Sequence, residues 1–195
     1  MAAHVDSKIS PEQYLEIERN AEFKSEYYDG YVYAMSGASF AHGVITGNLV
    51  RALGNKVGPR GCAVIPNDLR LRISYRGFYT YPDVIVIFGK PQFVDSQHDT
   101  LINPTLLIEV LLPSTEAYDR GFKSSQYRQI ESLREYALVS QKEPRIEIYQ
   151  RREDGRWLLS EFAGLDAGGL LESVDCELRL GDVYQNITFE ESAPR

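Results

Sequence analysis

The chain has 195 residues, of which 43% are hydrophobic and 25% are charged, and its formal net charge is −7. This composition is ordinary for a soluble globular protein, excludes a disordered chain, and at this length predicts one domain over residues 1–195 with its core at about 10–190. Residues 1–152 carry 18 basic and 18 acidic side chains, whereas residues 153–195 carry 3 and 10. The acidic balance argues against tight non-specific nucleic-acid binding but leaves room for a local basic surface.

Targeting and redox signals are weak throughout the sequence. The longest apolar run, residues 84–88, falls far short of the roughly 20 residues of a membrane span. The first ten residues lack the apolar segment of a signal peptide, so we expect a cytoplasmic protein that does not contact membranes. Cys62 and Cys176 lie 114 positions apart with no CxxC motif, which excludes a disulfide framework and a zinc finger.

The N-terminal elements are predicted by capping and turn signals. The capping box at residues 10–13, with proline at the first helical position, predicts a short helix to about Asn20. The Asp29-Gly30 pair between residues 23–28 and 31–35 predicts a β-hairpin.

Hydrophobic spacing predicts the next elements. Ile45, Leu49 and Leu53 recur at helical spacing, so a helix is expected there. Residues 61–65 read as a strand. In residues 68–73 leucine and isoleucine alternate with Asp68, Arg70 and Arg72, which predicts a half-buried strand with a charged outer face.

The remaining sequence predicts a mixed central sheet. Residues 84–88 and 106–112 follow prolines and are apolar on both faces, as central strands covered on both sides are. A helix is expected at about 119–133, a buried strand at 136–139, and a C-terminal hairpin from 145–150 and 157–162. The fold class is therefore α/β or α+β, with a mixed sheet flanked by helices and hairpins near both ends.

Glu109 is the most informative residue because its carboxylate interrupts the apolar run of residues 105–112. An unpaired ionised carboxylate in that position costs several kcal/mol, so it needs a cation, a metal ion or a hydrogen-bond network. For Glu109 alone, a buried salt bridge with an arginine and a functional site are equally good interpretations.

Asp83 favours the functional interpretation. It stands at the start of the other apolar strand, and two acids on adjacent strands repel each other unless a divalent cation with oxygen ligands lies between them. We therefore expect Asp83 and Glu109 to bind a metal ion together, although an acid after proline is also a common strand start.

One face of the predicted helix adds a basic group to this pair. Asp119, Lys123 and Tyr127 are four residues apart and share a helix face. The structural alternative is an exposed Asp–Lys ion pair. In the functional interpretation, Lys123 points at the carboxylates, where its charge orients a water molecule or offsets transition-state charge.

Taken in order, these segments resemble the PD-(D/E)XK nuclease superfamily and, within it, the Uma-type group of restriction-endonuclease-like proteins. The resemblance covers nearly the whole chain and rests on residues 26–33, 35–39 with His42, 67–72, 81–84, 108–115, and the helix face of Lys123. It implies a restriction-endonuclease-like fold, a DNA phosphodiester substrate, and a homodimer with one site per strand.

The resemblance also implies the composition of the site. Asp83, Glu109 and the backbone carbonyl of Val110 would hold Mg²⁺ or Mn²⁺, and Glu26 would be an additional acid. The superfamily's lysine normally stands two residues after the glutamate, where this chain has Leu111. Lys123 is therefore the expected catalytic lysine.

Three further expectations concern residues around this site. His42 either reaches the site or caps its own helix, and Asp68 belongs to a salt-bridged face with Arg70 and Arg72. Asp119 and Tyr127 accompany Lys123. The basic residues Arg60, Arg70, Arg72 and Arg76 are expected to form the rim that faces DNA.

The leading hypothesis is a Mg²⁺-dependent endonuclease in which activated water attacks a DNA phosphodiester bond. The missing strand lysine and the acidic charge support an alternative, a catalytically inactive DNA-binding or assembly protein with the same fold. A glycoside hydrolase that uses a carboxylate pair is a third interpretation, disfavoured because central strands place acids less openly than a sugar cleft requires.

Overall fold

The computed structural model describes residues 8–35, 37–74 and 77–189. Helix α1 (Pro11–Asn20) begins at the predicted capping box: the Gln13 N–H donates to the Ser10 hydroxyl oxygen, and the Ser10 N–H donates to the Gln13 side chain. Strands β1 (Ser25–Tyr28) and β2 (Tyr31–Ala34) form the predicted hairpin. Asp29 and Gly30 both have positive φ, as a tight hairpin turn requires.

The other strands follow the predicted order, with some additional short ones. They are β3 (Cys62–Pro66), β4 (Arg70–Arg72), β5 (Phe78–Thr80), β6 (Val84–Phe88), β7 (Thr100–Leu101), β8 (Leu106–Leu111), β9 (Glu135–Ser140), β10 (Arg145–Arg151), β11 (Trp157–Ala163), β12 (Gly168–Leu171) and β13 (Cys176–Arg179). The other α-helices are α2 (Phe40–Val57) and the short turns α3 (Glu116–Tyr118), α4 (Ser124–Tyr127) and α5 (Leu180–Val183).

Three sheets organise the described residues. The six-stranded sheet has the order β11-β10-β9-β8-β6-β3, and a five-stranded sheet has the order β2-β1-β5-β4-β7. Strands β12 and β13 form a separate pair. In the large sheet only β8 and β9 run parallel. This arrangement confirms the mixed sheet flanked by helices and makes the predicted C-terminal hairpin its edge.

The central strands of the large sheet, β6, β8 and β9, are buried on both faces, as their apolar sequences predict. Alternate residues of β6 and β8 pack on one face against α2, α5 and β13. The intervening residues pack on the other face against Tyr127, Leu133 and the five-stranded sheet. One cover is therefore a helix layer with the C-terminal strands, and the other is largely a second sheet.

The predicted helix at 119–133 is wrong in its limits. A helical segment runs from α3 through a π-helical turn (Asp119–Lys123) into α4 and ends at Tyr127. Ile130 and Leu133 are buried at helical spacing, which extends the apparent pattern, but they reach the core from hydrogen-bonded turns. Their burial therefore satisfies the hydrophobic pattern without a helix.

The charged outer face predicted for residues 68–73 is also corrected. Arg70 is only 3% exposed, because this face of β4 is covered by α1 and the residues before β6. Its guanidinium lies 5.8 Å from the ring centre of Tyr14 and pairs with Asp99 at 3.0 Å. Asp68 does project to solvent, but its ion-pair partner is Lys24.

Among the described residues, no helix is both long enough and apolar enough to cross a membrane. Cys62 and Cys176 are free thiols.

Candidate active site

The register of two central strands brings the predicted acids together. Strands β6 and β8 are antiparallel with Val84 opposite Ile108, so the next position along places Asp83 opposite Glu109. The Asp83 N–H lies 3.4 Å from Glu109 Oε2. Side chains alternate along β8, and Glu109 therefore points to the same face as its neighbours Leu107 and Leu111.

Glu109 is 3% exposed and has two strong partners on one oxygen. The Tyr127 hydroxyl donates to Oε1 at 2.6 Å, and Lys123 Nζ donates to the same atom at 3.1 Å. The other oxygen has only the long contact with the Asp83 N–H among the described residues. Burial raises the pKa of the Glu109 carboxyl above its usual range, Lys123 opposes that rise, and the nearby Asp83 charge adds to it.

Asp83 is held by a backbone group and a histidine. Its Oδ2 accepts from the Val110 N–H at 2.7 Å, a donor that is available because β6 pairs with β8 only as far as Ile108. Its Oδ1 lies 3.1 Å from His42 Nε2. His42 stands in the first turn of α2, and the cap of that helix is Ser39, so the His42 side chain reaches the site instead of capping the helix.

Lys123 is surrounded by three carboxylates. Its Nζ lies 3.1 Å from Glu109 Oε1, 3.3 Å from Asp119 Oδ1 and 3.4 Å from Glu26 Oε1. Burial opposes the charge of Lys123, but the surrounding acids, Glu109 above all, hold its pKa well above the usual value. The cation that accompanies Glu109 is thus a lysine and not the arginine of the salt-bridge alternative.

Glu26 comes from the five-stranded sheet. It lies opposite Thr80 in the pairing of β1 with β5, and the Thr80 hydroxyl donates to its Oε1. The Tyr118 hydroxyl donates to its Oε2 at 2.9 Å. Sequence reasoning did not identify Tyr118, whose position one helical turn before Phe122 resembles ordinary core spacing.

Asp119 occupies the π-helical turn and is 4% exposed. The Thr115 hydroxyl donates to its Oδ2 at 3.0 Å, while its Oδ1 faces Lys123. Burial raises the pKa of the Asp119 carboxyl, and the charge of Lys123 opposes that rise.

A cavity of about 480 Å³ opens over this cluster. Its lining includes the acids Glu26, Asp83, Glu109 and Asp119 together with Lys123. Glu22 and Lys24 also line the cavity, so five carboxyl groups face two lysines, and a cation would compensate the surplus of acidic groups.

The donor set fits a divalent cation that prefers oxygen. No three His, Cys, Asp or Glu side chains form a complete metal cage in the described part of the chain. Mg²⁺, however, commonly binds through one or two carboxylates and keeps its other positions for water and phosphate oxygens. Asp83 and Glu109, through its more weakly held oxygen Oε2, supply those two carboxylates at the cavity wall, beside Val110.

The predicted basic rim is not assembled at this cavity. Arg70 is buried, and Arg60 pairs with Asp175 beyond the C-terminal end of α2. Arg72 is partly buried and does not line the cavity, and Arg76 lies outside the described residues. The cations that do line it are Lys24 and Lys123. Arg70 therefore cannot belong to a rim that faces DNA, because β4 directs its side chain inward, and the DNA-facing role of Arg60, Arg72 and Arg76 stays a prediction.

Comparisons with known proteins agree with this architecture. The family model Uma2, described as "Putative restriction endonuclease", matches residues 11–180. Two uncharacterized proteins of Synechocystis sp. are similar: slr1290 is 36% identical over 97% of this chain and all of its own length, and sll1609 is 38% identical over 82% of this chain and 90% of its own length.

A crystal structure described as a putative nuclease belonging to DUF820, from Anabaena variabilis, has a similar fold. It superposes with a TM-score of 0.74 at 19% identity, covering 90% of this chain and 97% of the other. At this identity the likeness concerns the fold.

Proposed function

The chain belongs to the Uma2 family, and from this premise we propose that it is a Mg²⁺-dependent endonuclease that hydrolyses DNA phosphodiester bonds. The observation that carries the proposal is the facing pair Asp83 and Glu109, with one Glu109 oxygen held only by the long contact with the Asp83 N–H and a lysine 3.1 Å from the other. A Mg²⁺ ion bound there supplies Lewis-acid activation of water and neutralises phosphate charge.

In this proposal each side chain around the pair has a distinct task. Tyr127 and Lys123 fix one oxygen of Glu109, so that the other oxygen stays directed at the cavity. His42 and the Val110 N–H fix the two oxygens of Asp83. Such outer contacts orient metal ligands and commonly change metal affinity or activity by 10- to 100-fold when they are removed.

Lys123 takes the place of the missing strand lysine. Leu111 occupies the usual position, yet Lys123 Nζ reaches Glu109 from the helical segment. A positive charge at this point can stabilise the charge that develops on a phosphate oxygen in the transition state. This geometry favours the active enzyme over the inactive nuclease-fold protein.

Assembly and location complete the proposal. Cleaving both strands of a duplex is most simply achieved by a two-fold dimer with one site per strand, so we propose a homodimer. We also propose a cytoplasmic location, where DNA is accessible.

Nicking of supercoiled plasmid tests the proposed activity. We expect open-circular and linear products with Mg²⁺, no products with EDTA, and none from Asp83→Asn, which removes one carboxylate of the pair. The matched control is Asp175→Asn, since Asp175 has an exposed carboxylate and a positive φ that asparagine tolerates. Plasmid binding without any Mg²⁺-dependent nicking by the parent protein would refute the endonuclease and favour the DNA-binding alternative.

A further inference from the structure

The cavity has two kinds of wall. Its floor is the acidic cluster with Lys123. Phe23, Met35, Ala38 and Leu112 form an apolar lip beside the polar side chains of Glu22, Lys24 and Asn67. A phosphate group and a hydrated cation need only the polar floor. The apolar lip therefore fits a different part of a substrate.

Phe23 is the most prominent group of this lip. It is 83% exposed, although burial of a phenylalanine side chain is favourable. The other two aromatic rings of the cavity are engaged: Lys24 Nζ lies 5.4 Å from the ring centre of Tyr81, and Tyr118 stacks on Phe122 at 5.3 Å. Among the described residues no aromatic ring stacks on Phe23, so the faces of its ring are free.

The backbone around Phe23 is held in place. Phe23 stands between the end of α1 and the start of β1, and the next residue is tied to two other segments. The Lys24 carbonyl oxygen accepts from the Met35 N–H at 3.4 Å, and Lys24 Nζ donates to the Asn67 carbonyl oxygen at 2.9 Å. An exposed ring on an anchored segment presents a ready surface for stacking.

We propose that Phe23 stacks on an unpaired nucleobase next to the phosphate bound at the acidic floor, so that the preferred substrate is single-stranded or locally unpaired nucleic acid. This inference rests on the proposed function. A base in a duplex has its faces covered by neighbouring bases, and it can stack on a protein ring only after leaving that stack. Base–aromatic stacking is strong and tolerant of sequence, because every base has a π-face.

The size of the cavity is compatible with this occupant. Binding sites for small organic ligands measure about 300–1,000 Å³, and this cavity measures about 480 Å³. Its volume therefore suffices for one nucleotide with its phosphate on the acidic floor and its base against the lip.

Binding of a 2-aminopurine oligonucleotide, as a single strand and in a duplex, tests the inference in the presence of Ca²⁺. Phe23→Ala should weaken single-strand binding by about tenfold or more, given the usual strength of one base–aromatic stack. It should also remove the quenching of 2-aminopurine. Phe23→Trp should keep both the single-strand affinity and the quenching. Phe23→Ala should weaken duplex binding less than it weakens single-strand binding. The matched control is Phe88→Ala, which removes another exposed phenylalanine, about 16 Å along β6 from Asp83.

The outcomes separate this inference from the proposed function. If Phe23→Ala binds the single strand as the parent does, or if Phe88→Ala loses as much, the stacking role is refuted while plasmid nicking is unaffected. If Phe23→Ala instead converts a dimer to a monomer in sedimentation, the ring belongs to an interface between copies, and the inference fails. If Phe23→Ala loses single-strand binding and quenching as expected, but the parent protein never nicks DNA, only the endonuclease is refuted.

Discussion

Two glutamates on neighbouring strands show how differently a buried carboxylate can be accommodated. Glu109 on β8 and Glu135 on β9 are 3% and 1% exposed, and burial raises the pKa of both carboxyls. Glu135 accepts from the backbone N–H groups of Glu172 and Ser173 at 2.9 and 3.1 Å and from the Ser173 hydroxyl. Its partners are neutral and donate to both of its oxygens, so the carboxylate caps the short helical turn Glu172–Val174.

Glu109 has a contrasting environment. It shares Lys123 with two other acids, faces Asp83, lines the cavity, and keeps one oxygen with a single long contact among the described residues. In the parallel pairing of β8 with β9 its opposite residue is Leu138, so Glu135 lies three residues, or about 10 Å, along the sheet. Burial of a carboxylate therefore does not identify a site, whereas surplus negative charge beside an open cavity does.

The largest expected effect that separates the two glutamates is on cleavage. Glu109→Gln should abolish Mg²⁺-dependent plasmid nicking, because it removes one of the two carboxylates that face the cavity. Glu135→Gln should nick at close to the parental rate, since its environment does not reach the cavity. Initial nicking rates at saturating Mg²⁺ measure this difference. Equal losses in the two variants would mean that buried charge in the sheet, and not a metal site, governs activity.

The sequence predicts Glu109 but not Glu135, for a physical reason. Glu109 interrupts an apolar run that is buried on both faces, so its anomaly is visible from its neighbours alone. Glu135 stands at the first position of β9, where charged residues are common, and its burial depends on a turn 37 residues away. Periodicity carries no information about such a distant partner.

The same difference between local pattern and distant contacts explains why the sequence wrongly predicts an exposed position for Arg70. Alternation correctly predicts that Leu71 and Arg70 point to opposite faces of β4, but it cannot show that α1 and Tyr81 cover the polar face. His42 is the opposite case: its spacing resembles a helix cap, and only the packing of α2 beside β6 brings it to Asp83. Local pattern predicts elements well, while contacts between distant elements require the fold.

The next effect concerns stability without metal. Lys123→Ala should destabilise the protein by about 3–5 kcal/mol, because it strands three buried acids without their shared cation. Glu109→Gln should leave stability unchanged or raised. It relieves the repulsion between Glu109 and Asp83, and Lys123 keeps its ion pairs with Asp119 and Glu26. Glu135→Gln should cost about 1–3 kcal/mol, because some of the donors around it lose their acceptor.

Urea unfolding of the metal-free variants provides this measurement. A loss of stability in Glu109→Gln as large as that in Lys123→Ala would show that Glu109 is one half of a structural ion pair. In that case the comparison with Glu135 would no longer distinguish a functional carboxylate from a structural one.

The smallest effect is a pH dependence that Mg²⁺ should modify at one glutamate only. Because burial raises the folded-state pKa of both carboxyls, the folded protein keeps protons that the unfolded chain has lost, and stability should fall as the pH rises above the ordinary carboxyl range. Each group contributes at most about 1.4 kcal/mol per pH unit. Mg²⁺ should replace the proton on Glu109 and flatten that part of the slope, leaving the part due to Glu135.

Unfolding free energies of the parent, Glu109→Gln and Glu135→Gln across this range, with and without Mg²⁺, measure the two parts. With Mg²⁺ the Glu135→Gln protein should keep only the smaller slope that Asp119 and other carboxyls contribute, whereas Glu109→Gln should respond little to the ion. A slope that Mg²⁺ changes equally in both variants would place the cation away from Glu109 and contradict the assignment of the site.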